Sequence, residues 1–290
     1  DMRDYAITTD SSCDFDQALA DSLGVTVVPL SVQIGPRRFR NAPGEAMDSH
    51  SFYQLLSQGE LAQTSAPNVE EFKAVWRPIL QSGRDLLYLG FSSGLSGTYH
   101  NAAIAAEDLR EEFPEARIIT VDTLCASLGQ GMLVDLTVQE KRQGKTLDEA
   151  AAFAEKNRLH LCHWFTVGDL SQLRRGGRLS AGKAIVGNLL NIKPVLHVDD
   201  EGHLVPMASA KGRKKSIEAL VSHMEESAVA PEQQRVYISH GDCLADAQLL
   251  AQMVRDRLHV SSVTIGDVGP VIGAHSGAGT LALFFVGTHR

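Results

Sequence analysis

Short apolar runs alternate with amphipathic stretches over the first 160 residues. Residues 86–89 are an apolar run of strand length, and 5–9 and 117–121 are short strand-like segments. Residues 14–22, 51–57, 69–80, 96–112, 129–143 and 147–158 carry apolar positions at helical spacing, and Gly24 follows the first of them as a left-handed cap would. The rhythm strand, helix, strand predicts a parallel α/β sheet of Rossmann-like type. Residues 25–32 form a β-rich run in which Pro29 predicts an edge or irregular position.

The second part is patterned differently. Strands are predicted at 164–167, 194–198, 204–209, 236–239, 262–266 and 281–286, and helices at 216–224 and 245–258. Asp199-Asp200-Glu201-Gly202 reads as a hairpin turn between two adjacent strands. The expectation is an α+β domain with a mixed sheet over 161–290, following a parallel α/β domain over 1–160. The boundary is placed at 158–163. No internal repeat or low-complexity segment interrupts this reading.

Composition narrows the function. The chain has 290 residues, 43% hydrophobic and 21% charged, with a formal net charge of -8. That balance suits a globular protein and disfavours a general nucleic-acid binder, because no long basic run is present to neutralise phosphates. The run 281–286 is too short to span a bilayer. Four cysteines, at 13, 125, 162 and 243, are scattered without a C-x-x-C pair. They read as reduced thiols and, with no signal-peptide core at the start, predict a cytoplasmic protein without stable membrane insertion.

Candidate chemistry sits in turns. Ser92-Ser93-Gly94-Leu95-Ser96-Gly97-Thr98-Tyr99 joins a predicted strand to a predicted helix, and hydroxyls ahead of a helix N-terminus make an anion cradle. Gly90-Phe91-Ser92-Ser93-Gly94 also fits G-x-S-x-G, which offers Ser92 as the nucleophile of an esterase with His275 and an intervening Asp. No oxyanion segment of HGGG type precedes it, and the second half does not continue a hydrolase's parallel alternation. Gly277-Ala278-Gly279-Thr280-Leu281-Ala282 fits G-x-G-x-x-A, yet the chain ends before the helix and acidic residue a dinucleotide site needs. His160, Cys162 and His163 offer metal-ligand types, which a strand of mixed polarity explains equally; no metal is expected. Gln63-Thr64-Ser65-Ala66-Pro67-Asn68, Arg174-Arg175-Gly176-Gly177-Arg178 and His275-Ser276-Gly277 are further turns bearing hydroxyls, an arginine or a histidine. Together they read as a binding site with neutral donors and no evident catalyst.

The set resembles the DegV family. The match is carried by Thr9-Asp10-Ser11, Thr64-Ser65-Ala66-Pro67, the turn from Ser92 to Tyr99, Gly176-Gly177-Arg178-Leu179-Ser180, Leu190-Asn191-Ile192-Lys193-Pro194 and His275-Ser276-Gly277-Ala278-Gly279, in order and over essentially the whole chain. The resemblance implies a two-domain fold with a long-chain fatty acid bound between the domains and no cofactor. It implies that Thr64, Ser96 and His275 hold the carboxylate, with Ser65, Ser93 and Ser276 as second choices in the same turns. It also implies that Arg178 contacts the carboxylate or a partner, a fatty acid kinase that phosphorylates the presented acyl group. Three positions depart from the family pattern: Asn68 stands where Ser is usual, Ser276 and Ala278 stand where Thr and Pro are usual, and Arg40-Asn41 replace an acidic residue.

Overall fold

A computed structural model of the protein describes residues 3–182 and 191–290. Leu190 of the quoted Leu190-to-Pro194 stretch lies outside them. A parallel sheet is built from β1 (Tyr5–Asp10), β2 (Thr26–Val28), β6 (Asp85–Gly90) and β7 (Ile118–Asp122), in the order β2-β1-β6-β7. All six residues of both central strands are buried. That is why neither strand shows hydrophobic-polar alternation, with Tyr5-Ala6-Ile7 and Leu86-Leu87-Tyr88-Leu89 apolar in succession.

A small antiparallel sheet holds β3 (Ser31–Ile34) between β4 (Arg37–Arg40) and β5 (Ala62–Ser65). The predicted run 25–32 is therefore two strands in two sheets. They separate at Pro29, and the Ser11 hydroxyl accepts from the Leu30 N–H at 2.9 Å where the chain changes direction. The stretch 63–68, read as a turn, instead begins as strand β5, with Thr64 opposite Val32.

The remaining strands are β8 (Leu161–Thr166), β9 (Ile192–Val198), β10 (Leu204–Lys211), β11 (Arg235–His240), β12 (Ser262–Asp267) and β13 (Leu281–Val286). They form a mixed sheet in the order β10-β9-β8-β13-β11-β12, parallel only between β11 and β12. The change of sheet falls between β7 and β8.

Ten α-helices lie among the described residues. Of these, α1 (Gln17–Leu23) is capped by Asp16, whose carboxylate accepts from the Leu19 N–H at 2.7 Å, and closes on Gly24 at φ 65°. The helix thus starts later than residue 14, because Asp14 is in a left-handed conformation at φ 59°. Helix α2 (Ser49–Ser57) packs on the small sheet. Helix α3 (Val69–Gln81) opens on a capping box between Asn68 and Glu71. Asn68, a departure from the family pattern, is thus itself a strong N-cap residue.

With α4 (Thr98–Glu112), α3 covers one face of the parallel sheet through Phe72, Trp76, Tyr88 and Ala102. Helices α5 (Ser127–Arg142) and α6 (Leu147–Asn157) follow, and their apolar side chains join Leu87 and Leu89 of β6. That cluster runs on without a break into Phe165, Leu196 and Phe284 of the mixed sheet. After the short α7 (Ser171–Arg175), α8 (Arg213–Ser227) and α9 (Leu244–Leu258) cover the far face of the mixed sheet against Cys162, Trp164 and Phe285. The last helix, α10 (Pro270–Ser276), packs on α2 and the small sheet through Val271 and Ala274. Among the described residues no helix is long and apolar enough to cross a membrane.

Alternation along β8 sends Leu161 and Phe165 toward the core shared by the two large sheets and Cys162 and Trp164 to the other side. His160 lies in a short 3-10 turn before β8 and bonds the Gly287 carbonyl through Nδ1 at 2.9 Å. Residues 160, 162 and 163, close in sequence, therefore point to three different environments. Among the described residues no group of three or more His, Cys, Asp or Glu is arranged to hold a metal.

Candidate functional site

A cavity of about 280 Å³ lies where the three sheets meet. Most of its wall is apolar. Phe91 and Leu95 come from the turn after β6, Phe165 and Phe284 from the mixed sheet, and Ile272 from α10. At one end the wall turns polar, with Thr64, Ser96, Arg178, His275 and Ser276. Four separate segments, up to 211 residues apart, converge there.

His275 is the centre of this polar end. Its Nε2 is hydrogen-bonded to Thr64 Oγ1 at 2.9 Å, which β5 positions by pairing Thr64 with Val32. Its Nδ1 is buried without a protein partner among the described residues. Burial, and then the neighbouring Arg178 cation, push its pKa down to about 4, so the ring is neutral at physiological pH.

The glycines of the Gly176-Gly177-Arg178 turn have a role here. A Cβ on Gly176 would stand 2.7 Å from His275 Nδ1, so only glycine lets α7 approach the ring this closely. Gly177 takes φ 70°, which turns the chain so that Arg178 donates to the carbonyls of Leu95 and Gly176, at 3.2 and 2.6 Å. Two of the five guanidinium N–H groups are committed to these bonds, and the rest are available at the cavity wall.

Ser96 lies two residues before α4, not within it. Its hydroxyl accepts from the Thr98 N–H at 3.1 Å and is 2.8 Å from the Thr98 hydroxyl. The positive end of a 15-residue helix is thereby brought to the cavity wall beside Gly97. Ser276, buried, donates to the Ile272 carbonyl at 3.2 Å. Ser65 and Ser93 are not brought to this wall. Ser65 alternates to the opposite face of β5 from Thr64 and is exposed, and Ser93 is exposed with its N–H donating to Asp122.

Ser92, the esterase candidate, is fully buried and tied elsewhere. Its hydroxyl donates to the Gly202 carbonyl at 2.8 Å and accepts from the Gly94 N–H at 3.2 Å. Gly202, at φ 77°, is the hairpin-turn glycine between β9 and β10, so this bond joins the parallel sheet's turn to the mixed sheet. Neither Ser92 nor its turn partner meets His275, whose Nε2 is bonded to Thr64. Replacing Ser92 with alanine is expected to cost about 1–3 kcal/mol by leaving the Gly202 carbonyl unpaired. Denaturant titration reads this; an unchanged midpoint would count against the role.

Asp10 organises the turn from the other side. Its carboxylate accepts from Tyr88 Oη at 2.5 Å, the Phe91 N–H at 2.9 Å, the Ser12 N–H at 3.1 Å and Gln130 Nε2 at 3.2 Å. Burial raises its pKa against the opposing pull of these bonds. The sequence placed Asp10 in a polar turn but gave no sign of this role, since three of its four partners lie 78–120 residues away.

His163, also in the cavity wall, accepts from the Ala126 N–H through Nε2 at 3.2 Å, so its proton is on Nδ1 and donates to the Leu161 carbonyl. Burial, and then Arg290, push its pKa down to about 3. The unfolded chain takes up a proton here below about 6.5 and the folded chain does not, so His163 removes stability as pH falls from 6.5 toward 3. The wild-type protein should therefore lose stability relative to His163→Gln over that window. A pH-independent difference in denaturation midpoints would contradict this.

Comparison with known proteins agrees with this architecture. The DegV family model, described as "Uncharacterised protein, DegV family", matches residues 4–288. A DegV domain-containing protein of Clostridium perfringens is 41% identical over 286 residues, covering 99% of this chain and 98% of its own. Among solved structures, a DegV family protein from Thermus thermophilus described for its fatty acid binding has a TM-score of 0.88 at 32% identity, covering 99% of this chain and 100% of its own. DegV of Bacillus subtilis, described as a fatty acid binding protein, has a TM-score of 0.85 at 27% identity, covering 99% of this chain and 100% of its own. A family match spanning nearly every residue, on a fold shared from end to end, places the chain in the DegV family.

Proposed function

We propose that this protein binds a long-chain fatty acid in the cavity between its sheets and has no catalytic activity of its own. The observation that carries the reading is the cavity's asymmetry: an apolar wall that closes, at one end, on Thr64, Ser96 and His275. An enclosed carboxylate needs several donors to offset its desolvation. Thr64 and the neutral His275 ring have two hydrogens between them and spend one on their mutual bond, so the pair supplies one donor. The Ser96 hydroxyl and the α4 N-terminus supply the rest, each charge-assisted bond contributing roughly 1.5–3 kcal/mol. Ser276 is a reserve hydroxyl at the same end. The relatives described as fatty acid binders support the choice of ligand.

The tail dominates affinity. Burying about 0.8 kcal/mol per CH₂, a chain of ~14 methylenes contributes on the order of 11 kcal/mol gross, which ordering and association reduce considerably. In this reading the polar end fixes orientation, so the carboxylate faces Arg178. From there it is presented in the cytoplasm to a partner such as a fatty acid kinase, and Arg178 contacts the carboxylate or that partner.

Protein purified from its host and then denatured should release a long-chain fatty acid detectable by mass spectrometry. Absence of lipid, together with no binding of added octadecanoic acid, would overturn the reading. The protein should also leave long-chain p-nitrophenyl esters intact. Hydrolysis abolished by Ser92→Ala would instead establish an esterase.

A further inference from the structure

The cavity wall carries a second polar group, away from the one around His275. Ser127 and Ser239 both line the cavity, and Ser239 is completely buried. Their hydroxyls are 3.0 Å apart, and the Ser127 hydroxyl is 2.5 Å from Asp14 Oδ2. Asp14 Oδ1 in turn accepts from the Gly269 N–H at 3.1 Å. Three side chains thus form a line that ends, at Ser239, on the ligand space.

Counting donors and acceptors shows what this line lacks. A serine hydroxyl has one hydrogen to donate and two lone pairs to accept with. Ser127 has two partners, Asp14 and Ser239, whereas Ser239 has a single side-chain partner, Ser127, among the described residues. If Asp14 holds a proton, donation runs from Asp14 to Ser127 to Ser239, and the Ser239 hydrogen is left for the cavity. If Asp14 is ionised, donation runs the other way and Ser239 is left with lone pairs. A carbonyl on the ligand satisfies only the first state and an ammonium only the second. A hydroxyl, donor and acceptor in one, satisfies both. A plain methylene chain satisfies neither and covers a buried polar group.

Its position along the ligand follows from α10, which lines the cavity through Val271, Ile272 and His275. The line is anchored at Gly269, the N-cap of α10, and the carboxylate end at His275, six residues further. At 1.5 Å per residue the two anchors are about 9 Å apart along the helix. Ser239 itself is reached from Gly269 through Asp14 and Ser127, so the line meets the acyl chain among its methylenes, away from the carboxylate end.

We propose that Ser239, backed by Ser127 and Asp14, is a subsite for a hydroxyl in the middle of the acyl chain, and that the preferred ligand is a hydroxylated long-chain fatty acid. This rests on the fatty acid reading above and specifies its ligand.

Competition against a fluorescent fatty acid tests it, using octadecanoic acid and three hydroxyoctadecanoic acids with the hydroxyl near the carboxylate, at mid-chain and near the methyl end. The mid-chain isomer should bind about 5- to 10-fold more tightly than octadecanoic acid, the value of one net hydrogen bond, and the other two isomers should not. Ser239→Ala should bring the mid-chain isomer level with octadecanoic acid or below it. Octadecanoic acid binding as tightly as the mid-chain isomer, or a gain independent of hydroxyl position, overturns the subsite while leaving fatty acid binding in place. Failure of every compound to bind overturns the fatty acid reading itself. The isomer series on the unaltered protein decides the matter even if Ser239→Ala does not fold.

Discussion

Replacing His275 with alanine is expected to weaken fatty acid binding by roughly one to two orders of magnitude, the value of one charge-assisted hydrogen bond at about 1.5–3 kcal/mol. The ring is also what holds Thr64 Oγ1 in place, so its loss frees the other member of the proposed carboxylate pair. Fold stability should move much less than affinity, because the ring's Nδ1 is already without a protein partner. His275→Gln retains a donor and should recover part of the loss. Titration calorimetry with octadecanoic acid provides the measurement. Affinity unchanged in the alanine variant would place the carboxylate elsewhere in the cavity.

The largest effect on stability is expected at Asp10. Asp10→Ala removes the acceptor for Tyr88, the Phe91 N–H, the Ser12 N–H and Gln130 in one change, inside a fully buried site. Leaving several buried donors unpaired costs about 3–5 kcal/mol in all. Because Phe91 begins the turn that carries Leu95 and Ser96, ligand affinity should fall as well, while Asp10→Asn retains one acceptor and should be milder. A denaturation midpoint for Asp10→Ala within error of wild type would refute the role given to this carboxylate.

The parts of the fold that could be read from the chain are those whose signal is local. The central strands β1 and β6 are buried on both faces, so Tyr5-Ala6-Ile7 and Leu86-Leu87-Tyr88-Leu89 are apolar without alternation. Helices α3 and α6 announce their starts with capping boxes at Asn68 and Thr146. Strand β5 could not be read in this way. Its four residues, Ala-Gln-Thr-Ser, look like a turn, and only pairing with β3 makes them extended. Helix α10 was hidden for a similar reason, being seven residues long with a glycine inside and serving as the wall between α2 and the cavity.

The candidate site divides in the same manner. Thr64, Ser96, Arg178 and His275 stand in short stretches whose glycines and hydroxyls are conspicuous in the sequence, and all four line the cavity. Ser65 and Ser93 were conspicuous for the same reason and lie outside it, since the pleat and the turn geometry decide which neighbour faces inward. Ser127, Ser239 and Asp14 gave no local signal. Their relation is made by strand β11, helix α5 and the segment after β1 meeting across more than a hundred residues.

The apolar cluster that runs unbroken from Leu87 and Leu89 into Phe165, Leu196 and Phe284 has a consequence for how a ligand enters and leaves. A clamshell motion that parted the two large sheets would expose these side chains to water, at about 1.5–3 kcal/mol for each one fully uncovered. It would also break the Ser92–Gly202 clasp. Moving the 174–178 turn and the Arg178 side chain leaves that cluster and clasp intact, which makes the Arg178 end the less costly route for exchange. On the proposed reading, a ligand then passes to a partner at the Arg178 end while the two large sheets stay packed together.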